Sequence, residues 1–102
     1  MRFATVLLAA LLAGCAIQTP VLDQMDKRLD SALGQPIANY VQRLGTPAVQ
    51  ELDQGQTRYG WRQADLVKPC TIELWADAAG TVRKARWAGY ERSCKPLLEQ
   101  LN

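Results

Sequence analysis

The chain predicts an α+β domain in which two short N-terminal helices pack on one face of a three- to four-stranded antiparallel sheet. Three observations carry that prediction. Apolar residues recur at helical spacing between Val21 and Leu44 and then, after Pro47, at a period of two. Turn-forming clusters, Asp53-Gln54-Gly55 and Asp77-Ala78-Ala79-Gly80, cut the second half into segments of strand length. No internal repeat, low-complexity tract or linker interrupts the chain, so one small core is expected over 21–102.

The first element is not part of that core. Met1-Arg2 is a short positive start, and Phe3 to Leu12 is an apolar run of about ten residues, half the length of roughly 20 needed to span a bilayer. That is the size of a signal-peptide core. Leu12-Ala13-Gly14-Cys15 closes it with an apolar residue, two small residues and a thiol, and resembles the lipobox of bacterial lipoproteins. The resemblance implies a signal peptide over 1–14, cleavage before Cys15, diacylglycerol on the Cys15 thiol and acylation of the new amino terminus. Several acyl chains anchor a protein stably where one does not. Ala16 is not the aspartate that marks inner-membrane retention in many such lipoproteins, so the periplasmic side of the outer membrane is the expected location. Residues 15–20 are then a short tether, reaching roughly 18 Å when extended, and the domain sits close to the lipid.

Within the domain, Leu22, Met25, Leu29, Ala32 and Leu33 form one stripe of a first helix, and Gly34 is placed to end it. Pro36 suits the first turn of a second helix, with Ile37, Tyr40, Val41 and Leu44 at i, i+3, i+4 and i+7. Gly45 and Pro47 stop it. Val49 to Leu52 reads as a short strand. Thr57 to Gln63 alternates, with Tyr59 and Trp61 on one face and Arg58 and Arg62 on the other. Thr71 to Asp77 does the same, with Ile72, Leu74 and Ala76 opposite Thr71, Glu73 and Trp75. Thr81 to Tyr90 returns from a tight hairpin, but Val82 is out of phase with Ala85 and Trp87, which predicts a bulge near Arg83 or Lys84. The segment Pro96 to Leu101 is expected as a tail fastened against the sheet.

Cys70 and Cys94 remain after Cys15 is assigned to lipid. Their spacing fits neither a redox C-x-x-C nor a zinc site, and the chain has no histidine to complete metal ligation. In an oxidising compartment a structural disulfide is expected, stabilising the fold by roughly 3 kcal/mol through loop closure. No metal or cofactor is expected.

The net charge is only +2, and no nucleic-acid partner is expected, but the charge is unevenly spread. From Ala16 to Thr57 there are three basic and five acidic residues; from Arg58 to Lys95 there are eight basic and four acidic. The second half is suited to anionic headgroups or an acidic partner, or is a solvated face.

The run LGQPIANYVQRLGTP, a following strand with Tyr and Trp, and IELWADAAGTV together resemble the small outer-membrane lipoproteins of the SmpA/OmlA, BamE-like type. The matching residues are Gly34, Val41, Leu44, Gly45 and Pro47, then Trp75, Asp77, Gly80 and Val82. The resemblance covers about Leu33 to Trp87 and implies a two-layer helix-on-sheet fold and a scaffold or accessory role in envelope assembly. The Cys70/Cys94 pair lies outside that pattern. The same two-layer shape is used by secreted inhibitors resembling the β-lactamase inhibitory protein, so a periplasmic inhibitor or sensor that grips a hydrolase is the alternative.

Catalysis is not expected. Without histidine, acid–base work needs an enclosed carboxylate, lysine or tyrosine. Asp23, Asp26 and Asp30 read as a solvated helix face, and Glu73 and Asp77 as members of a surface ion-pair ladder. The candidate binding face is therefore Arg58, Arg62, Thr71, Glu73 and Trp75, because tryptophan and arginine concentrate at protein interfaces. Trp75 is expected either to show on that face or to lie under Leu97, Leu98 and Leu101 of the tail.

Overall fold

The computed structural model describes residues 20–64 and 68–102. The signal-peptide segment, Cys15 and the tether before Pro20 lie outside the described residues.

Helix α1 (Pro20–Ala32) buries Met25, Leu29 and Ala32, the inner part of the predicted stripe; Leu33 is exposed. A turn at Gly34, with φ of 85°, leads to α2 (Ile37–Leu44), which buries Ile37, Tyr40 and Leu44. Gly45, at φ of 86°, ends α2 by donating its N–H to the Val41 carbonyl at 2.9 Å. Four strands follow: β1 (Val49–Asp53), β2 (Gln56–Gln63), β3 (Cys70–Ala76) and β4 (Val82–Ala88). They pair as an antiparallel meander in the order β1-β2-β3-β4. Gln54 and Gly55 both have positive φ, 53° and 83°, the conformation a two-residue hairpin requires.

The β3–β4 hairpin is closed by Asp77, whose Oδ1 accepts from the Ala79 and Thr81 amides at 3.0 Å each. Ala76 opposes Val82 and Trp75 opposes Lys84. Arg83 is thus the extra residue, at the bulge the phase slip predicts. It returns Val82, Ala85 and Trp87 to one face. The backbone of the α1–α2 turn is stitched to the same hairpin: Gly34 N–H donates to Val82 O, Val82 N–H to Gln35 O, and Ile37 N–H to Gly80 O, at 2.8 to 2.9 Å.

Where the sequence reading expects two helices and a tail, the described residues form three helices. Residues Glu91–Leu101 form α3, with Cys94, Leu97, Leu98 and Leu101 buried at i, i+3, i+4 and i+7. Ser93 caps its start, accepting from Tyr90 N–H at 3.3 Å and donating to Tyr90 O at 3.2 Å. Pro96 forfeits one intrahelical hydrogen bond, and burial of the apolar stripe outweighs that loss. Helix α3 contacts α1, α2, β2 and β3, so it occupies the middle of the helical layer. Its last turn is held by Arg43, whose Nη1 donates to Leu101 O at 3.4 Å.

The core lies between this layer and the sheet face bearing Trp61, Ile72, Leu74, Ala76 and Val82, with Tyr59, Ala85 and Trp87 half-buried against it. Trp61 Nε1 donates to Gly45 O at 2.9 Å. Trp87 Nε1 donates to Asp26 Oδ1 at 2.8 Å, which takes Asp26 out of the purely solvated role its helix position suggests. Cys70 and Cys94 are joined by a disulfide with Cα atoms 5.0 Å apart, tying β3 to α3. Gly89 passes directly over it: a Cβ there would stand 2.8 Å from both Cys70 Cα and Cys94 Sγ.

Candidate binding face

All three helices cover one side of the sheet. Because side chains alternate along each strand, the opposite face is defined by the register. Glu51 opposes Arg58, and Asp53 opposes Gln56. Arg58 opposes Trp75, Gly60 opposes Glu73, and Arg62 opposes Thr71. Trp75 opposes Lys84, and Glu73 opposes Arg86. The five candidate residues Arg58, Arg62, Thr71, Glu73 and Trp75 therefore share this face.

They do not share one role. Arg58, Glu73 and two residues outside the candidate set form an ion-pair ladder that crosses the whole sheet: Glu51 to Arg58, Arg58 to Glu73, and Glu73 to Arg86. Arg58 Nε donates to Glu51 Oε1 at 3.2 Å, and Arg86 Nε to Glu73 Oε1 at 3.0 Å. The Glu73 side chain is only 15% exposed. Burial pushes its carboxyl pKa up, but hydrogen bonds and charge from Arg86 and Arg58 outweigh that and hold it below the ordinary value. Hydrogen bonds to Glu51 and Glu73 raise Arg58 in turn.

Trp75 corrects both expectations. It lies on the open face, yet is 4% exposed, and what covers it is not the C-terminal segment, which packs on the other side. Lys84 Nζ sits 4.4 Å from its ring centroid and Arg86 Cζ 5.6 Å. The two cationic heads lie over the indole. Below them, Trp75 Nε1 donates to Asp53 Oδ2 at 2.7 Å. The indole is a buried platform under a charged cover, not an exposed anchor.

Beside the ladder the face is hollowed. Gly60 has no side chain, and a Cβ there would stand 3.3 Å from Val49 Cβ. The resulting depression of about 340 Å³ is bordered by Val49, Arg58, Gly60, Arg62, Thr71 and Glu73. Arg62 is exposed and forms no hydrogen bond or ion pair with a described residue. Its guanidinium, at the rim with the half-buried Thr71 beside it, is a donor set suited to a carboxylate.

Sequence reasoning missed Glu51, Asp53, Gly60, Lys84 and Arg86 as parts of this face. The alternation of β4 beyond the bulge does carry Lys84 and Arg86 to it; the diagonal reach from Trp75 to Asp53 has no such signal. Among the described residues, no group of three or more acidic or thiol side chains is placed to hold a metal ion, and no helix is long and apolar enough to cross a membrane. Comparison with known protein families, curated proteins and solved structures finds no match.

Proposed function

We propose that the chain is a non-catalytic binding or scaffold module, anchored through lipid on Cys15 to the periplasmic side of the outer membrane. On the SmpA/OmlA, BamE-like resemblance it is an accessory of outer-membrane protein assembly, and its partner is an envelope protein. The observation that carries this reading is the one-sided layering. Three helices cover one face of the sheet, and the other face is left with a cross-strand charge ladder and a hollow at Gly60 rimmed by Arg62. A partner carboxylate entering that hollow meets a guanidinium with no competing acceptor among the described residues.

The test is a photo-crosslinking residue in place of Arg62 in the full lipidated chain, irradiated in intact cells, with adducts identified by mass spectrometry. Position 62 is used because it is exposed, whereas position 75 is not. One dominant adduct with a barrel-assembly component is the expected result. A soluble hydrolase as the adduct moves the reading to the inhibitor alternative, and the absence of any adduct overturns binding through this face. Independently, Cys15→Ser should release the chain from the membrane fraction.

A further inference from the structure

The two edges of the sheet are treated differently. On β4 the outer edge is already occupied at its start, because Val82 exchanges backbone hydrogen bonds with Gly34 and Gln35. The Arg83 bulge, Lys84 and Arg86 guard the rest, and α1 packs against the strand. Bulges, basic residues and coverage are the devices by which proteins block strand addition.

Among the described residues, β1 has neither a bulge nor a basic side chain, and no strand pairs with its outer side. Its five residues, Val-Gln-Glu-Leu-Asp, contain no lysine or proline and pair with β2 in unbroken register from Val49 to Asp53. Leu52 points to the helical side of the sheet but lies beyond the reach of the helices and is 84% exposed.

The open face adds a charge rule. Its formal charges alternate strand by strand: Glu51 and Asp53 on β1, Arg58 and Arg62 on β2, Glu73 on β3, Lys84 and Arg86 on β4. A further strand beyond β1 continues the alternation if it is basic. A second copy does the opposite, since β1 against β1 gathers four carboxylates along one junction, and like charges on facing strands are destabilising.

We propose that β1 is a docking edge for an extended segment of the partner protein, one that alternates lysine or arginine with aliphatic residues. The backbone of the segment completes the unpaired side of β1. Its cations face Glu51 and Asp53, and an aliphatic residue covers Leu52. This rests on the reading of the chain as a binding module and names the chemistry of what it binds.

The probe is a labelled heptapeptide alternating Lys and Val, titrated into the lipidated full chain in neutral detergent, with amide hydrogen exchange recorded free and bound. Saturable binding with slowed exchange confined to β1 is expected. It should weaken at least tenfold for a Glu/Val peptide, for the Lys/Val peptide N-methylated at every central amide, and for Leu52→Asp. Because Leu52 is so exposed, that variant should keep the thermal midpoint of the parent.

Equal binding of the N-methylated peptide overturns strand addition in favour of simple charge attraction. Self-association that protects β1 without peptide overturns it in favour of a second copy. Absence of binding, or protection elsewhere, overturns it outright. If the crosslink from position 62 still forms in that case, only the docking edge is lost; if neither occurs, the binding-module reading goes with it.

Discussion

The indole Nε1 of Trp75 lies 2.7 Å from Oδ2 of Asp53, a hydrogen bond that reaches diagonally from the third strand to the edge strand beneath a cover of Lys84 and Arg86. It satisfies a nearly buried donor with a side-chain carboxyl oxygen and fastens the edge strand β1 to the interior of the sheet. Asp53→Ala leaves that donor without a partner and should cost about 1–3 kcal/mol. Urea unfolding measures it, and the same substitution in a Trp75→Phe background should cost distinctly less.

The Cys70–Cys94 bridge closes a loop of sequence separation 24. Replacing both cysteines with alanine should lower stability by about 3–4 kcal/mol on the chain-entropy account. Gly89→Ala should also destabilise, because its Cβ would meet the bridge at 2.8 Å and its φ of 154° disfavours a side chain. Comparing the two variants with and without reductant separates the lost bond from the clash.

Stability should fall in acid through Glu73. Its native pKa lies below the ordinary 4.5 because the hydrogen bonds and charges of Arg86 and Arg58 overcome its burial. A depressed carboxylate contributes stability that is fully present above its unfolded value and is lost as pH falls through its native one. The thermal midpoint should therefore hold above pH 5 and decline below about 4.5. Glu73→Gln should start lower and decline less steeply over that window; an unchanged slope would remove Glu73 as the cause.

Leu97 and Leu98 are 4% and 5% exposed in the middle of the helical layer. Truncating either to alanine should cost about 2–5 kcal/mol, against less than about 0.5 kcal/mol for an exposed neighbour such as Glu99→Ala. Chemical denaturation distinguishes this from a loosely attached tail, for which all three variants would behave alike.

Much of this architecture is legible in the residues. The change from helical to two-residue period at Pro47 marks where helices give way to strands, and the phase slip between Val82 and Ala85 locates the bulge at Arg83. Helix α3 is less plain, because Pro96 at its sixth position reads as a stop. The apolar stripe Cys94, Leu97, Leu98 and Leu101 has helical spacing all the same, and its burial outweighs one lost hydrogen bond. The environment of Trp75 is harder still. Its face follows from alternation, but its cover depends on a register that the bulge sets and on the reach of lysine and arginine side chains, neither of which is a local property. The hollow at Gly60 needs the register of three strands at once.

The position of α3 has a consequence for the order of events in the life of the chain. The centre of the helical layer is supplied by residues 91–101, which come after every element they pack against in the chain, and the covalent bridge waits for Cys94 to arrive. Neither α1 nor α2 can bury its apolar stripe fully before then. Closing the core and locking it are therefore a single event, because the helix that fills the centre of the layer also carries the cysteine that bridges to β3.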